Sequence, residues 1–243
     1  MDRKIVSTFF CAALFLAAFM TGCSGVVIAG SGVKASEAHE LAEFTSIEFS
    51  GQGDVLLVQT DDHTLTIEAD DNILPLLKSE VSDGVLKLWT DTGKPAALKP
   101  QVPIRYEIGF EKLEELDISG AGNFRCDKLK GKEFTISLSG AGDIGMRLDL
   151  AKLTARISGA GEVELTGKAG EQDIKVSGAG EWNGRELKSD AVTIGLTGAA
   201  NAAVNVTSEL VINISGVGTV AYIGDPEVTQ SVSGMGVVKK LAD

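Results

Sequence analysis

A five-residue unit recurs along the second half of the chain at intervals of 18 to 20 residues. Each copy begins with Ser or Thr, and most continue with Gly, a small residue, Gly and a polar residue. The copies are SGQGD at Ser50, SGAGN at Ser119, SGAGD at Ser139, SGAGE at Ser158 and Ser177, TGAAN at Thr197, SGVGT at Ser215 and SGMGV at Ser233. A period near 20 predicts a solenoid, because one repeat cannot bury its own apolar face whereas a stack of repeats can.

Apolar and polar residues alternate on both sides of this unit. Counted from its Ser or Thr, positions −5, −3 and −1 before it and +5 and +7 after it are mostly apolar, as Ile136 and Leu138 are before Ser139. A period of two is typical of half-buried strands. Each repeat is therefore predicted to hold two short strands around a glycine corner, in an all-β parallel β-helix. A leucine-rich repeat has a similar period, but its Leu/Asn consensus and helical return are absent.

The glycines of the unit are predicted to shape the corner. Glycine lacks a Cβ, so it can adopt a positive φ or let two backbones approach closely. Corners that recur once per coil should stack directly above one another. The predicted corner glycines are Gly120, Gly122, Gly140, Gly142, Gly159, Gly161, Gly178, Gly180, Gly216, Gly218, Gly234 and Gly236.

The composition suits thin β-coils and argues against a nucleic-acid-binding protein. The 243 residues include 29 glycines, and only 5% are aromatic. Lys and Arg number 22 against 34 Asp and Glu, which gives a net charge of −12, and there is no basic run. Because a nucleic-acid surface needs clustered positive charge, no nucleic acid partner is expected. The glycine unit also lacks the Lys and the following helix of a phosphate loop, and no cofactor is expected.

Residues 1–22 have the features of a lipoprotein signal peptide. Arg3 and Lys4 precede the apolar run Ile5–Met20, and small residues then lead to Cys23. The stretch resembles a bacterial lipobox, which implies cleavage before Cys23 and lipid on its thiol. A plain secretory peptide or a membrane anchor is the alternative. Residues 23–40 are small and polar, and they are predicted to form a tether.

The other cysteines agree with this interpretation. Cys11 would leave with the signal peptide, so only Cys126 would remain as a free thiol, and no intrachain disulfide is possible. Cys126 falls at inward position +7 and is predicted to be buried rather than nucleophilic. Ser24 follows the lipid-bearing cysteine, and by resemblance to a known sorting rule it favours the outer over the inner membrane. The sequence leaves the periplasmic or surface side open.

Residues 41–118 are predicted to form an N-terminal β-rich part that includes the first coil and covers the open end of the solenoid, since an uncovered edge invites aggregation. Ile73–Ser79 is predicted as a short helix capped by a preceding Asp or Asn, and Gly93–Pro103 as a loop. Residues 119–243 hold the β-helix repeats, and residues 41–243 form one domain. The predicted strands are Phe44–Phe49, Val55–Gln59, Thr64–Ala69, Val85–Thr90 and Ile104–Phe110.

Taken together, the lipobox, the stretch from Phe44 through SGQGDV and the serial repeats resemble the head GIN domain family of auto-transporter adhesins. The likeness covers about residues 44–239. It implies a right-handed parallel β-helix in a bacterial cell-envelope protein. It implies no particular chemistry, so no functional residue is transferred from the family.

Carboxylates at the end of the unit are candidate calcium ligands. Asp143, Glu162 and Glu181 occupy one position in successive repeats, and stacked coils lie about 4.8 Å apart. A carboxylate ladder at this spacing could bind Ca²⁺, which takes several oxygen ligands. The simpler prediction is a column of solvated turns in which Asp and Asn bond to nearby backbone and no metal binds.

Two further sets of side chains are predicted to be structural. The Ser/Thr column should form hydroxyl bonds within the turns, because the only histidines, His39 and His63, lie in no motif with a Ser or Cys. Exposed aromatic residues on a β-helix often stack on sugars. Trp182, however, falls at inward position +5 beside Gly184 and is predicted to be in the core.

The sequence thus predicts a lipid-anchored, non-catalytic envelope protein whose β-helix presents an acidic face rich in Ser, Thr and Asn. Its partners would be the membrane, through lipid on Cys23, and an envelope or surface protein or glycan. The loops Gly93–Pro103 and Asp225-Pro226 would vary recognition. Two alternatives remain open: a polysaccharide-active β-helix enzyme, which needs converging carboxylates in a cleft, and a periplasmic structural protein without a ligand.

Overall fold

The computed structural model describes residues 26–242. Among these residues it contains β-strands, one 3₁₀ turn at Leu74–Leu76 and no α-helix. The predicted signal peptide and Cys23 lie outside the described residues. The strands are β1 (Val26–Ala29), β2 (Lys34–Glu40), β3 (Ser46–Phe49), β4 (Asp54–Gln59), β5 (Thr64–Asp70), β6 (Leu77–Ser82), β7 (Val85–Thr90), β8 (Ala96–Lys99), β9 (Arg105–Phe110), β10 (Glu115–Ile118), β11 (Phe124–Leu138), β12 (Ile144–Ile157), β13 (Ala160–Val176), β14 (Ala179–Leu196), β15 (Ala199–Ile214), β16 (Val217–Ile223), β17 (Glu227–Val232) and β18 (Met235–Lys240).

The repeats form a parallel β-solenoid of about seven turns. Each of the long strands β11 to β15 runs from one corner to the next and pairs in parallel with the strand of the following coil. The register joins equivalent positions of successive repeats, as it does for Phe124 with Ile144 and for Leu138 with Ile157. The predicted β-helix is confirmed.

The inward columns form one continuous hydrophobic core. From the repeat at Ser119 to that at Ser215, positions −3 and −1 are at most 3% exposed, and position +5 is at most 4% exposed. Burial of each Leu or Ile side chain contributes roughly 1.5–3 kcal/mol, so the ladders supply the main stabilisation. One polar residue interrupts them: Gln172, at a buried −5 position, donates a hydrogen bond to the hydroxyl of Ser189.

The N-terminal part extends the solenoid and then closes its end. Strand β3 pairs in parallel with β10, and β4 with β11, so the early repeat at Ser50 forms the first coil as predicted. Beyond them the pairing becomes antiparallel: β6 pairs with β7, and β5 lies between β2 and β9. These antiparallel strands are the predicted β-rich cap.

Residues 26–40 were predicted to belong to a tether, and this prediction is wrong for most of their length. Val26–Ala29 forms β1, which pairs in parallel with β8, and Lys34–Glu40 forms β2, which pairs with β5. Most residues of both strands are exposed. A strand that buries neither face need not alternate, so the sequence carried no signal of period two.

Two neighbouring predictions fail because of Asp70. The expected loop Gly93–Pro103 contains strand β8, and the expected helix at Ile73–Ser79 is only a 3₁₀ turn that continues into β6, with no side-chain cap. The carboxylate of Asp70 does not cap that turn. It accepts hydrogen bonds from the backbone N–H groups of Gly32 (2.7 Å), Gln101 (3.0 Å) and Val102 (3.1 Å), and thereby holds the chain after β1 and the chain after β8 against the cap.

At the C-terminal end the last coil has a free edge, strand β18. Met235 and Val237 are exposed there, and the −3 position, which is apolar in the earlier repeats, is the exposed Gln230. Lys239 and Lys240 lie on this edge, and Lys240 pairs with Asp225. Charged side chains on an edge strand discourage pairing with another chain.

Candidate functional site

Backbone contact between coils explains the glycines of the corner. The N–H of Ala141 donates to the carbonyl oxygen of Gly120 in the preceding coil (3.1 Å), and a Cβ on Gly140 would overlap that same oxygen. A Cβ on Gly142 would overlap the carbonyl oxygen of Gly122 in the same way. The corner therefore stacks backbone on backbone and leaves no space for side chains at these positions.

The hydroxyls of the Ser/Thr column bond to backbone and not to one another. The hydroxyl of Ser139 donates to the carbonyl oxygen of Ile118 in the preceding coil at 3.4 Å, and Ser119 and Ser233 make equivalent bonds. This arrangement ties each corner to the previous coil and gives the column a structural role.

The polar residues that end the unit lie in a row along one edge of the solenoid. The carboxylate of Asp143 accepts the backbone N–H of Glu162 at 3.0 Å, and Glu162 lies opposite Glu181 in the strand register. Within residues 26–242, no group of three or more His, Cys, Asp or Glu residues is arranged to hold a metal ion. The three candidate carboxylates stand one per coil and do not converge in a cleft.

The titratable groups that could serve as nucleophile or base lie apart. His39 Nε2 is 3.8 Å from Glu37 Oε2, and the ring of His63 packs edge-on against Phe44 at 5.1 Å. In the described part of the chain, neither histidine bonds to a Ser, Thr or Cys side chain. Cys126 is buried as predicted, and this burial raises the pKa of its thiol to about 11. A thiol with this pKa is a poor nucleophile at neutral pH.

A row of outward-facing residues crosses one whole sheet of the solenoid at position −2 of each repeat. Its charge changes along the row from acidic near the N-terminal cap to basic in the middle, so the predicted acidic face is in fact mixed. In strand order the row contains Lys87, Glu48, Asp117, Ser137, Arg156, Lys175, Gly195, Asn213 and Ser231.

This row is interrupted at Gly195, where the missing side chain helps to form a groove of about 510 Å³. We call it the Gly195 groove. Arg156, Lys175 and Asn213 line it from the same row, together with hydroxyl groups that include that of Thr193. The Gly195 groove therefore offers cationic donors, an amide and hydroxyls on a rigid sheet.

Packing does not require glycine at position 195. A Cβ there would meet no atom closer than the carbonyl oxygen of Ile174, at 4.0 Å, in contrast to the corner glycines. The sequence contained a signal that was not used, because Gly195 is the only glycine at a position where neighbouring repeats carry Arg156 and Lys175.

The two tryptophans have different environments. Trp182 is 1% exposed and belongs to the core, as predicted. Trp89 is half-buried on β7, at the N-terminal end of the same sheet face, and lines a cleft of about 250 Å³ with Glu48, Lys87 and Asp117. An aromatic side chain is thus available at one end of the polar face.

We searched the described residues for membrane-crossing segments. No helix within residues 26–242 has the length and apolarity needed to cross a membrane.

Solved structures of similar shape come from gut bacteria. The chain is similar to a "putative adhesin" from Bacteroides fragilis, with 25% identity, a TM-score of 0.84 and coverage of 88% of this chain and 100% of that one. It is also similar to a "putative lipid binding protein" from Parabacteroides distasonis (24% identity, TM-score 0.71, coverage 88% and 99%) and a "putative adhesin" from Parabacteroides merdae (21% identity, TM-score 0.62, coverage 89% and 100%). The last two show the fold alone. No curated protein matches the chain.

The fold and the polar face define a class of protein, a β-solenoid that displays repeated side chains on a flat sheet. Within that class the family is also clear. The model of the family described as "putative auto-transporter adhesin, head GIN domain" matches residues 43–226, and the chain belongs to this family. It is thus an adhesin-like β-helical protein of a kind associated with the cell envelope or surface.

Proposed function

We propose that this protein is a non-catalytic binding module, anchored to the cell envelope by lipid on Cys23, that recognises a protein or glycan through the polar face of its solenoid. The Gly195 groove carries this proposal. It is a concave site on the sheet face, formed at a glycine that packing does not need.

The physical character of the face supports a binding role. Its side chains stand on paired strands, so their positions are fixed before a partner arrives and little entropy is lost on binding. Arg156 and Lys175 supply donors, Asp173 supplies acceptors 3.7 Å from the Lys175 ammonium, and Thr193 and Asn213 supply both. Sugar hydroxyls and peptide groups are the ligands that such a mixture satisfies.

Filling the Gly195 groove should abolish binding without unfolding the protein. Gly195→Lys places a long side chain in the groove, and we expect at least about a tenfold loss of affinity. Affinity is measured against immobilised oligosaccharides and extracellular-matrix proteins. Gly195→Ala is the matched control and should retain binding within about threefold, because a methyl group leaves most of the groove open. If Gly195→Lys binds these probes as wild type does, the proposed site is wrong.

The chain length between Cys23 and β1 supports anchoring close to the membrane. Only Ser24 and Gly25 separate Cys23 from Val26, and three residue steps span at most about 11 Å. A lipid on Cys23 would therefore hold β1 beside the bilayer surface, with no long tether between them. Val26, Val27 and Val33 are each 57–58% exposed at this end of the molecule, and apolar side chains are favourable at the lipid interface.

Substituting the lipidated cysteine should move the protein from the membrane to the soluble fraction. We expect Cys23→Ser to lose incorporation of radiolabelled palmitate and to leave the membrane fraction almost completely, since acyl chains supply the stable anchoring. Cys126→Ala is the control and should keep both properties. Wild-type protein should also be digested by protease added to intact cells. Protection until the outer membrane is broken would contradict an adhesin role on the surface.

A further inference from the structure

A second concave surface lies beyond position +7, on a different side of the coils. It has a volume of about 610 Å³ and shares no lining residue with the Gly195 groove. We call it the cationic groove. It contains five basic and two acidic side chains and thus three net positive charges, on a chain whose net charge is −12. Its basic residues are Lys128, Lys130, Arg147, Lys168 and Lys188.

The solenoid aligns four of its charged residues in a row. The strand register places Lys130, Asp149, Lys168 and Lys188 opposite one another in successive coils. Adjacent strands lie about 4.8 Å apart, so the row extends about 14 Å along the solenoid axis. The charges are therefore spread along a line and do not converge on one point.

Most of these cations have no ionic partner within the protein. Lys130 Nζ lies 3.5 Å from Asp149 Oδ2. The other four basic residues make no ion pair within the described residues, although the chain is rich in carboxylates. Lys168 and Lys188 lie directly opposite each other, an arrangement that destabilises a sheet when the charges are alike. An anionic ligand would relieve this repulsion.

We propose that the cationic groove binds a linear anionic polysaccharide that carries carboxylate or sulfate groups along its length. Lysine ammonium groups act as separate point charges, and their linear spacing matches a chain with repeated charges better than a compact ion such as phosphate. The groove has no aromatic side chain on which nucleic acid bases could stack. Its concave shape also keeps a flat bilayer away from Arg147 and its neighbours. At physiological salt, charges more than about 8 Å away are largely screened, so the acidic remainder of the surface opposes binding only weakly.

The test uses the folded chain from Cys23 onward and three defined probes: polygalacturonate, dextran sulfate and neutral dextran. Wild-type protein should bind the two polyanions but not neutral dextran, with an affinity that falls as salt is raised. The double substitution Lys168→Gln/Lys188→Gln should reduce affinity for the polyanions at least tenfold. Its thermal unfolding midpoint should stay equal to that of wild type or rise, because the repulsion between the two lysines is removed.

The matched control removes the same charge elsewhere. Lys94→Gln/Lys99→Gln changes two exposed lysines outside the groove and should bind as wild type does. Gly195→Lys should also bind the polyanions normally, which separates this site from the one proposed above. Equal loss in both lysine pairs, equal binding of neutral dextran, or tighter binding of single-stranded DNA or of inorganic phosphate at this groove would each overturn the proposal.

Discussion

Replacing Gly140 with alanine should destabilise the protein by about 2–4 kcal/mol, which lowers the thermal midpoint by about 5–15 °C for a chain of this size. The added Cβ would overlap the carbonyl oxygen of Gly120. That oxygen accepts the N–H of Ala141, so the two coils must move apart and weaken the hydrogen bond that joins their corners. Thermal unfolding followed by circular dichroism measures the loss.

A second glycine provides the control for this substitution. Gly131 is exposed between corners, and a Cβ there would approach only Leu150 Cδ2, at the ordinary contact distance of 3.5 Å. Gly131→Ala should be neutral or slightly stabilising, since it restricts the unfolded chain. Equal midpoints for the two variants would mean that the corners are not held by backbone contact between coils.

The regular part of the fold could be predicted from the sequence because every repeat obeys the same two rules. Period-two alternation identified the inward columns, and the recurrent glycines identified the corners, down to the burial of Trp182 beside Gly184. The degraded copy at Thr197 also has a structural cause. A Cβ on Gly180 would lie 2.9 Å from the nearest carbonyl oxygen, so the corner is looser there, and the next coil accommodates Ala200 at the equivalent position.

The candidate sites could not be predicted in the same way, because they depend on residues outside the alternating columns. Lys168 and Lys188 follow their Ser by 10 and 11 residues, far apart in sequence, and they become neighbours only when the coils stack. A chain without a basic run can therefore carry a basic surface. Likewise β1 and β8 bury neither face, so only the hydrogen bonds of Asp70 show that they belong to the folded body.

Replacement of Asp70 should release the N-terminal strand from the cap. One carboxylate oxygen accepts the N–H of Gly32, and the other accepts those of Gln101 and Val102, all at a residue that is fully buried. In Asp70→Asn an amide group would face N–H donors, and unsatisfied buried donors are costly. Hydrogen exchange at the amides of these three residues should become at least about tenfold faster, whereas Asp61→Asn, an exposed substitution with the same charge change, should leave it unaltered.

The stabilisation by Asp70 should also depend on pH in a defined direction. Burial alone would raise the pKa of this carboxyl, but the N–H groups of Gly32, Val102 and Gln101 together hold the pKa below its usual value. Because the folded-state pKa is lower than the unfolded value of about 3.9, the stabilisation is complete above that pH and is lost as the pH falls through the folded-state pKa. The difference in thermal midpoint between wild type and Asp70→Asn should therefore be constant above about pH 5 and shrink below about pH 4. A difference that instead grew on acidification would show that the carboxylate form does not hold β1 and β8. The wild-type strand would then have to be held against the cap, and so near any lipid on Cys23, by other contacts.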